Sequence, residues 1–461
     1  MFDKSTYTNR REQLKKICKG GILFFPGNEE SSMNYASNTY RFRQDSTFLY
    51  LFGIDLPGLA AVIDLETGED TLYGNDLDID DIIWMGTQPL MSENAAKAGI
   101  NQTKPMSELK KDLQQAIQHK RSIKILPPYR GDHRIFLSAM LEVPVPHVSS
   151  FVSEELIKAV VSLREVKEED EIAQIEFAID VAYRMHTSMM KLAVPGTWER
   201  EIAGQMEGIA LANGGMVSFP VILSIDGQTL HNHYHGNLLK EGRIVVADAG
   251  CESPLHYASD ITRSVPVGGR FSQRQKEIYE IVLAANVNSI NNVKPGIYNR
   301  ELHLGAARTI TEGLKAIGIM KGDTEEAVQQ GAHALFFPHG LGHMLGLDVH
   351  DMESLGEKFV GYDETVTRST QFGTAYLRLA KKLKPGFVFT IEPGIYFIPA
   401  LIDLWKKEKK FEEFINYNKV DTYRDFGGIR IEDDILVTQT GCRVLGRPIP
   451  KTVGEIEGMM G

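Results

Sequence analysis

The segment Gly428-Ile429-Arg430-Ile431-Glu432 is a short apolar stretch that carries a guanidinium and a carboxylate between isoleucines. Two-residue alternation predicts a strand that presents Arg430 and Glu432 on one face and the isoleucines on the other. Arg430 would then be placed to orient the neighbouring carboxylate, which is costly to bury alone. Four further β-rich segments of the C-terminal half carry polar groups in the same way: Ile244–Asp248, Ala258–Thr262, His339–His343 and Phe389–Pro393.

The polar groups of these segments predict a metal site. Four carboxylates gathered in one core repel each other unless cations neutralise them. Carboxylates can bridge two cations, and as hard ligands they suit Mn²⁺, Mg²⁺ or Zn²⁺. We expect two divalent metal ions, with Mn²⁺ as the first choice and Zn²⁺ or Co²⁺ as alternatives. The candidate ligands are Asp248, Asp260, His343, Glu392 and Glu432.

Each candidate ligand has an expected role. Asp248 holds the first ion, Asp260 and Glu432 bridge the pair, and His343 and Glu392 complete the second ion. Two ions about 3.5–4 Å apart share a water and lower its pKa, which is hydrolytic chemistry. Glu392 is also the candidate that passes a proton to a leaving nitrogen.

Other histidines lie near the ligands in sequence. His339 and His350 flank His343 in a glycine-rich stretch, where glycines let the backbone pass close to a site. His231 precedes the Asp248 strand and begins a triplet whose other members are lesser candidates, His233 and His235. In a strand, two-residue alternation would point all three side chains to the same side. We expect His231 and His350 to hydrogen-bond a carbonyl oxygen as it becomes an oxyanion.

The composition is that of a globular protein and disfavours several partners. The chain has 461 residues, of which 43% are hydrophobic and 24% charged, and a net charge of −11. This acidic balance argues against nucleic acid or an anionic membrane as a partner. Three widely spaced cysteines imply no disulfide framework and fit a reducing compartment. The N-terminus lacks a hydrophobic signal core, and no apolar run approaches the ~20 residues that span a bilayer. We therefore expect a cytoplasmic protein.

The length predicts two domains of the α/β class. Residues 1–162 alternate short strands with helices, and residues 163–461 form the second domain, in which helices and strands interleave. A charge run, Lys167–Glu171, leads into the first long helix of the second domain. Two stretches between ligand segments, 357–375 and 400–423, are expected to be surface excursions that could overhang a cleft.

The motifs resemble those of the pita-bread metallopeptidases, the group that contains methionine aminopeptidase, aminopeptidase P and prolidase. The resemblance covers nearly the whole chain and implies the five ligands given above. It also implies that His231, His339, His350 and Arg430 contact substrate or tune the site. The spacing from Asp248 to Asp260 is one residue longer than is usual in this family. The matching motifs occur in order: Asp248–Gly250, Ser259–Arg263, His339–His343, Val349–Asp351, Ile391–Gly394 and Gly428–Asp434.

The N-terminal region separates the subfamilies. The stretches Phe42–Ser46 and Phe48–Gly53 resemble the N-terminal α/β domain of aminopeptidase P, which methionine aminopeptidase lacks. Val349-His350-Asp351 is shared by the proline-directed members. The resemblance therefore implies an Xaa-Pro aminopeptidase, which removes an N-terminal residue that precedes proline. Trp84 resembles the aminopeptidase P tryptophan that reaches toward a neighbouring subunit's substrate pocket, so we expect a homo-oligomer, a dimer or a tetramer. The alternative for Trp84 is an ordinary, partly buried tryptophan.

Two features favour the dipeptide-cleaving relative instead. Arg378 lies where prolidases carry an arginine that binds the dipeptide's C-terminal carboxylate, a group that suits a fixed cation. The long segment between Glu392 and Glu432 is also similar to prolidase. The alternative for Arg378 is a solvent-facing position on a lysine-rich helix. A non-catalytic pita-bread binding module is disfavoured, because relatives of that kind have lost the ligands that are present here.

Overall fold

The structure is a computed structural model that describes residues 1–461. It divides into two compact units, one formed by Met1–Arg164 with Glu353–Phe359 and the other by Glu165–Met352 with Val360–Gly461. The domain boundary between residues 162 and 163 stays a prediction. The α/β fold class expected from the sequence is confirmed. None of the helices combines the length and apolar character that crossing a bilayer would require.

The first unit is built on a five-stranded mixed sheet with the order β4-β3-β2-β1-β5. β1, β2 and β3 pair antiparallel, and β4 and β5 add to the two edges in parallel. The strands are β1 (Ile22–Pro26), β2 (Ala60–Asp64), β3 (Asp70–Tyr73), β4 (Gln102–Lys104) and β5 (Ile123–Lys124). The helices are α1 (Lys4–Ile17), α2 (Ser46–Phe52), α3 (Ile79–Met85), α4 (Met91–Lys97), α5 (Met106–Gln118), α6 (Gly131–Leu141) and α7 (Glu154–Arg164).

The second unit contains three small antiparallel sheets, β6-β7-β8, β13-β12-β9 and β10-β11. Their strands are β6 (Ile222–Ser224), β7 (Ile244–Asp248), β8 (Thr262–Pro266), β9 (Val388–Ile391), β10 (Gly394–Tyr396), β11 (Gly428–Arg430), β12 (Asp433–Val437) and β13 (Cys442–Val444). β7 and β8 are buried along their whole length. Side chains at the strand ends therefore lie in the interior of the unit.

Long helices pack against these sheets. α10 contacts β9, β10 and β11, and it begins with a capping box in which Ser272 and Gln275 satisfy each other's backbone N–H groups. The helices of this part of the chain are α8 (Glu169–Leu192), α9 (Glu199–Ala212), α10 (Gln273–Asn291), α11 (Asn299–Ala316), α12 (Thr324–Gln330), α13 (Glu357–Val360), α14 (Pro399–Lys407), α15 (Tyr417–Asp421) and α16 (Val453–Met460). α13 overlaps the Glu353–Phe359 segment of the first unit.

Three local expectations were wrong. Glu432 does not share a strand with Arg430, because the chain leaves β11 at Arg430 and begins β12, in another sheet, at Asp433. The histidine triplet around His233 lies in a turn and irregular backbone, so strand alternation does not apply to it. Arg378 lies at a bend and not on a helix, and the amides of Ala380 and Lys381 that follow it both donate to the Gly361 carbonyl.

Candidate active site

The β7–β8 hairpin positions two carboxylates. Asp248 ends β7 opposite Thr262, and Asp260 lies just before β8. The Asp260 amide donates to Oδ2 of Asp434 over 3.0 Å, which fixes the backbone at this point. Both carboxylates are buried, and the Oδ1 atoms of Asp248 and Asp260 have no hydrogen-bond partner. Orphaned buried carboxylate oxygens are costly unless a cation binds them.

A close backbone approach positions His343 and Glu392. The His343 carbonyl accepts the Thr390 amide, and the Glu392 amide donates to Leu341. A Cβ on Gly342 would lie 1.8 Å from the Thr390 carbonyl oxygen, so only glycine allows this approach. Nδ1 of His343 lies 3.1 Å from the Met344 carbonyl, which can only accept. The ring proton is therefore assigned to Nδ1, and Nε2 keeps a free electron pair.

The fifth group, Glu432, completes the cluster. Its carboxylate is buried in the short connection between β11 and β12, and it accepts the Thr262 hydroxyl over 2.7 Å. Nε2 of His343 lies 3.3 Å from Asp260 Oδ2 and 4.0 Å from Glu392 Oε1. One ligand atom each from Asp260, His343 and Glu432 lie within 4.8 Å of one another. The strands and the loops thus bring these four groups together, and Asp248 lines the same cavity.

The electrostatics of the cluster fit a cation. Burial raises the pKa of Asp260 and of Glu432 well above the usual carboxyl range, and neighbouring carboxylates raise both further. Burial also raises the pKa of Glu392 to about 8, with a further contribution from Asp248 and opposition from Arg430. Divalent cations at this point would relieve both the burial cost and the mutual repulsion. The donor set of hard oxygens and one imidazole suits such ions.

Arg430 connects the acidic cluster to a tyrosine and a histidine. Its buried guanidinium donates to Asp248 Oδ2 over 2.5 Å, to the Thr262 hydroxyl over 3.0 Å and to the Tyr396 hydroxyl over 2.9 Å. The Tyr396 hydroxyl lies 2.9 Å from Nε2 of His339, whose Nδ1 faces the Gly340 carbonyl. Burial raises the pKa of Tyr396 to about 12 and lowers that of His339 to about 3. The protonated phenol therefore donates to the neutral imidazole.

The sequence did not single out Tyr396. In the segment Gly394-Ile395-Tyr396 the tyrosine looks like an ordinary strand residue. Its contact with Arg430 arises only when β10 pairs with β11, in the register that places Gly394 opposite Arg430. The one available signal was its position in the strand that directly follows Glu392.

A cavity of about 530 Å³ opens over the cluster. It is lined by nearly all of the predicted site residues, namely His231, Asp248, Asp260, His339, His343, His350, Arg378, Glu392, Arg430 and Glu432. His233 also lines it, whereas His235 faces the Leu223 carbonyl. Further lining comes from apolar side chains that the sequence did not indicate, among them Phe219, Leu230, Phe372 and Tyr376.

The structure places the predicted substrate-binding residues Arg378 and Trp84 in different surroundings. Arg378 lines the cavity and is half-buried, so the solvent-facing alternative is wrong. Trp84 lies on α3 of the first unit, is 87% exposed and does not line this cavity. An ordinary partly buried tryptophan, the alternative for Trp84, is also wrong.

The fold and the site are those of a metallopeptidase. The sequence pattern described as Metallopeptidase family M24 matches residues 173–439, and the one described as Aminopeptidase P, N-terminal domain matches residues 7–126. The chain is 32% identical to the Xaa-Pro dipeptidase of Homo sapiens over 97% of its own length and 91% of that protein. It is also 32% identical to a probable Xaa-Pro aminopeptidase of Aspergillus fumigatus, with 97% and 94% covered.

A solved structure shows the same architecture. The aminopeptidase PepP of Pseudomonas aeruginosa is 29% identical and superposes with a TM-score of 0.82, over 99% of this chain and 98% of that one. The chain therefore belongs to metallopeptidase family M24. The expected pita-bread fold with an aminopeptidase P-like N-terminal domain is confirmed.

Proposed function

We propose that this protein is a metal-dependent exopeptidase that hydrolyses the bond between an N-terminal residue and a following proline. The observation that carries the proposal is the convergence of five ligand side chains, contributed by distant segments, at one cavity of about 530 Å³. Membership of a metallopeptidase family and the Xaa-Pro specificity in its relatives' names support the reaction and the substrate class. The substrate is then a peptide with proline in second position.

The metal centre is a part of this proposal. Asp248 would hold one ion, His343 and Glu392 would hold the other, and Asp260 and Glu432 would be shared between them. The unpartnered Oδ1 atoms of Asp248 and Asp260 support cation binding at these two carboxylates. We propose two ions, with Mn²⁺ as the expected metal and Zn²⁺ or Co²⁺ as alternatives. When bound, such ions polarise the scissile carbonyl and activate water.

The chain's own groups handle protons and hold the substrate. Glu392, which is partly exposed to the cavity, is placed to take a proton at a carboxylate oxygen and deliver it to the leaving proline nitrogen. His231 and His350 line the cavity and can donate to the carbonyl oxygen as negative charge develops. Arg430 holds Asp248 in place, and Tyr396 holds His339.

Two subclasses fit this site. We retain the Xaa-Pro aminopeptidase as the first candidate, on the resemblance of the N-terminal domain. The second candidate is an Xaa-Pro dipeptidase, and the observation that favours it is that Arg378 lines the cavity. A guanidinium there offers the geometry for binding a free carboxylate, which in a dipeptide lies on the proline itself.

Cleavage of matched peptides distinguishes the aminopeptidase from the dipeptidase. Metal-loaded protein should release the first residue from Xaa-Pro peptides, and Asp260→Ala should abolish release. We expect an Xaa-Pro-Xaa tripeptide to be cleaved at least as well as an Xaa-Pro dipeptide, and Arg378→Ala to leave that order unchanged. A strong preference for the dipeptide that is lost in Arg378→Ala, as about a 10- to 100-fold rise in KM, would establish the dipeptidase instead. Failure of the wild-type protein to cleave either peptide would refute the whole proposal.

Assembly and location complete the proposal. Trp84 lies beside other exposed apolar side chains on α3, Ile83 and Met85, and such a patch supports contact with a second copy of the chain. We propose a dimer or a tetramer in which Trp84 approaches a neighbouring subunit's substrate pocket, in a cytoplasmic protein. Light scattering tests this, and an unchanged mass and activity of Trp84→Ala would contradict a role at a subunit contact.

A further inference from the structure

An aromatic wall lines one part of the cavity and is not used by the chemistry described above. It consists of Phe372 and Tyr376, whose ring centroids lie 6.0 Å apart in an edge-to-face arrangement. Both rings are exposed, Phe372 at 36% and Tyr376 at 55%. Large apolar rings that face a substrate cavity offer a surface for an apolar side chain of the substrate.

The backbone beneath the wall is held by local hydrogen bonds. The Ala375 amide donates to the Gln371 carbonyl over 2.7 Å, and the Tyr376 amide donates to Gly373 over 3.1 Å. Gly373 has a φ of +85°, and a Cβ there would lie 2.7 Å from the Ala334 side chain. The base of the wall is thus fixed, while the rings need support from another element to keep their orientation.

That support comes from Trp405 on α14. Its indole is 3% exposed, and its ring centroid lies 5.8 Å from that of Phe372, edge to face. Phe411 packs against the same indole at 5.5 Å, and the Lys410 ammonium lies 4.2 Å from the ring centroid. Trp405 therefore connects the wall to the 400–423 stretch, which the sequence suggested only as a surface excursion.

This stretch is anchored to the rest of the unit. The Lys321 amide donates to the Phe414 carbonyl, and the Asn416 amide donates to Ile319. Tyr423 stacks on Phe397 with 4.9 Å between the ring centroids. Phe397 directly follows β10, the strand that carries Tyr396. An anchored segment can hold Trp405, and through it Phe372, in one position.

We propose that the Phe372–Tyr376 wall selects peptides with a large apolar side chain beside the proline, and that Trp405 is a positioning residue that sets the wall. The inference rests on the proposed function and adds the substrate class. The wall gains contact area only with a large apolar side chain, so its effect is on the ratio between substrates. Losing such a contact should change the ratio of kcat/KM between a substrate with a large apolar side chain and one with a small side chain by about tenfold.

The test compares kcat/KM for matched substrates in metal-loaded protein. Phe-Pro against Gly-Pro varies the residue before proline, and Ala-Pro-Phe against Ala-Pro-Gly varies the residue after it. Phe372→Ala and Tyr376→Ala should lower the Phe/Gly ratio about tenfold in one of the two series, mainly through KM for the Phe substrate. Trp405→Leu should lower the same ratio in that series, and Trp405→Phe should restore most of it.

Matched controls separate selection from general damage. Leu404→Ala removes an exposed apolar side chain from the same helix and should leave the ratio unchanged. Thermal unfolding checks that each variant is folded, and the exposed Tyr376 provides a test even if Trp405→Leu does not fold. Unchanged ratios in Phe372→Ala and Tyr376→Ala, or an equal loss for every substrate, would overturn the wall's role. An unchanged ratio in folded Trp405→Leu would overturn the positioning role. Absence of any Xaa-Pro cleavage by the wild-type protein would refute the proposed function, and this inference with it.

Discussion

The hydrogen bonds of Arg430 predict how much the free energy of unfolding falls when its side chain is replaced. The guanidinium is buried and donates to Asp248, Thr262 and Tyr396. Arg430→Gln removes the buried charge and leaves Asp248 without its cationic partner. Breaking a buried ion pair costs about 3–5 kcal/mol, so we expect the free energy of unfolding of chelated protein to fall by that amount. Arg430→Lys keeps a charge near Asp248 but cannot reach all three acceptors, and we expect about half the loss.

A double-mutant cycle tests the connection itself. Tyr396→Phe removes the hydroxyl that joins Arg430 to His339, and we expect it to cost about 1 kcal/mol alone. Because both side chains share one hydrogen bond, the combined variant should show a coupling of about 0.5–3 kcal/mol. Urea unfolding of the four proteins, without metal, measures it. Additive effects within about 0.3 kcal/mol would refute the idea that the two side chains act as one network.

Two further changes test the framework of the site. Asp433→Asn removes the ion pairs of a buried carboxylate with Arg263 and Lys451, both at 2.7 Å, and should cost about 3–5 kcal/mol in urea unfolding. Glu154→Gln, in an exposed ion pair, is the matched control and should leave the free energy of unfolding nearly unchanged. Equal losses in the two variants would contradict the burial argument. Gly342→Ala should lower thermal stability and activity, because its Cβ would lie 1.8 Å from the Thr390 carbonyl oxygen. The control is Gly208→Ala on α9, where a Cβ meets open space, and it should be neutral or stabilising by up to about 1 kcal/mol. An active, stable Gly342→Ala variant would show that the backbone approach at His343 is not required.

The convergence of the five candidate ligands was predictable because each lies in or beside an apolar, β-rich segment of the sequence. Asp248 and Glu392 fall at the end of a strand or directly after it, as expected. A carboxylate that is buried in such a position is costly unless a cation or hydrogen bonds neutralise it. The hairpin that separates Asp248 from Asp260 also formed as expected, with its pairing intact at Asp248↔Thr262.

What the sequence did not reveal depends on pairing between distant segments. The edge strand β4, Gln102-Thr103-Lys104, is polar and only half-buried, so it carries no hydrophobic alternation. The change of sheet at Ile431 and Glu432 follows from β11 pairing with β10 and β12 pairing with β9. Local alternation continues through this point and gives no sign of it.

Arg378 shows how tertiary contacts override a local pattern. The lysines that follow it suggested a helix, but the amides of Ala380 and Lys381 donate to Gly361 and the Leu383 amide donates to Ile297. These bonds to distant segments keep this part of the chain out of a helix, and Arg378 lines the cavity. The role of Phe372 was hidden for a similar reason, because its support comes from Trp405, which is distant in sequence.

Metal stoichiometry is the most direct test of the central claim, that Asp248, Asp260, His343, Glu392 and Glu432 hold two ions. Calorimetric titration of chelated protein with Mn²⁺, checked by elemental analysis, should give two ions per chain, and peptide cleavage should return with them. Asp260→Ala should lose metal binding and cleavage, while Asp363→Ala, a carboxylate outside the cavity, should match the wild type. Full cleavage by chelated protein, or two ions retained by Asp260→Ala, would contradict the account.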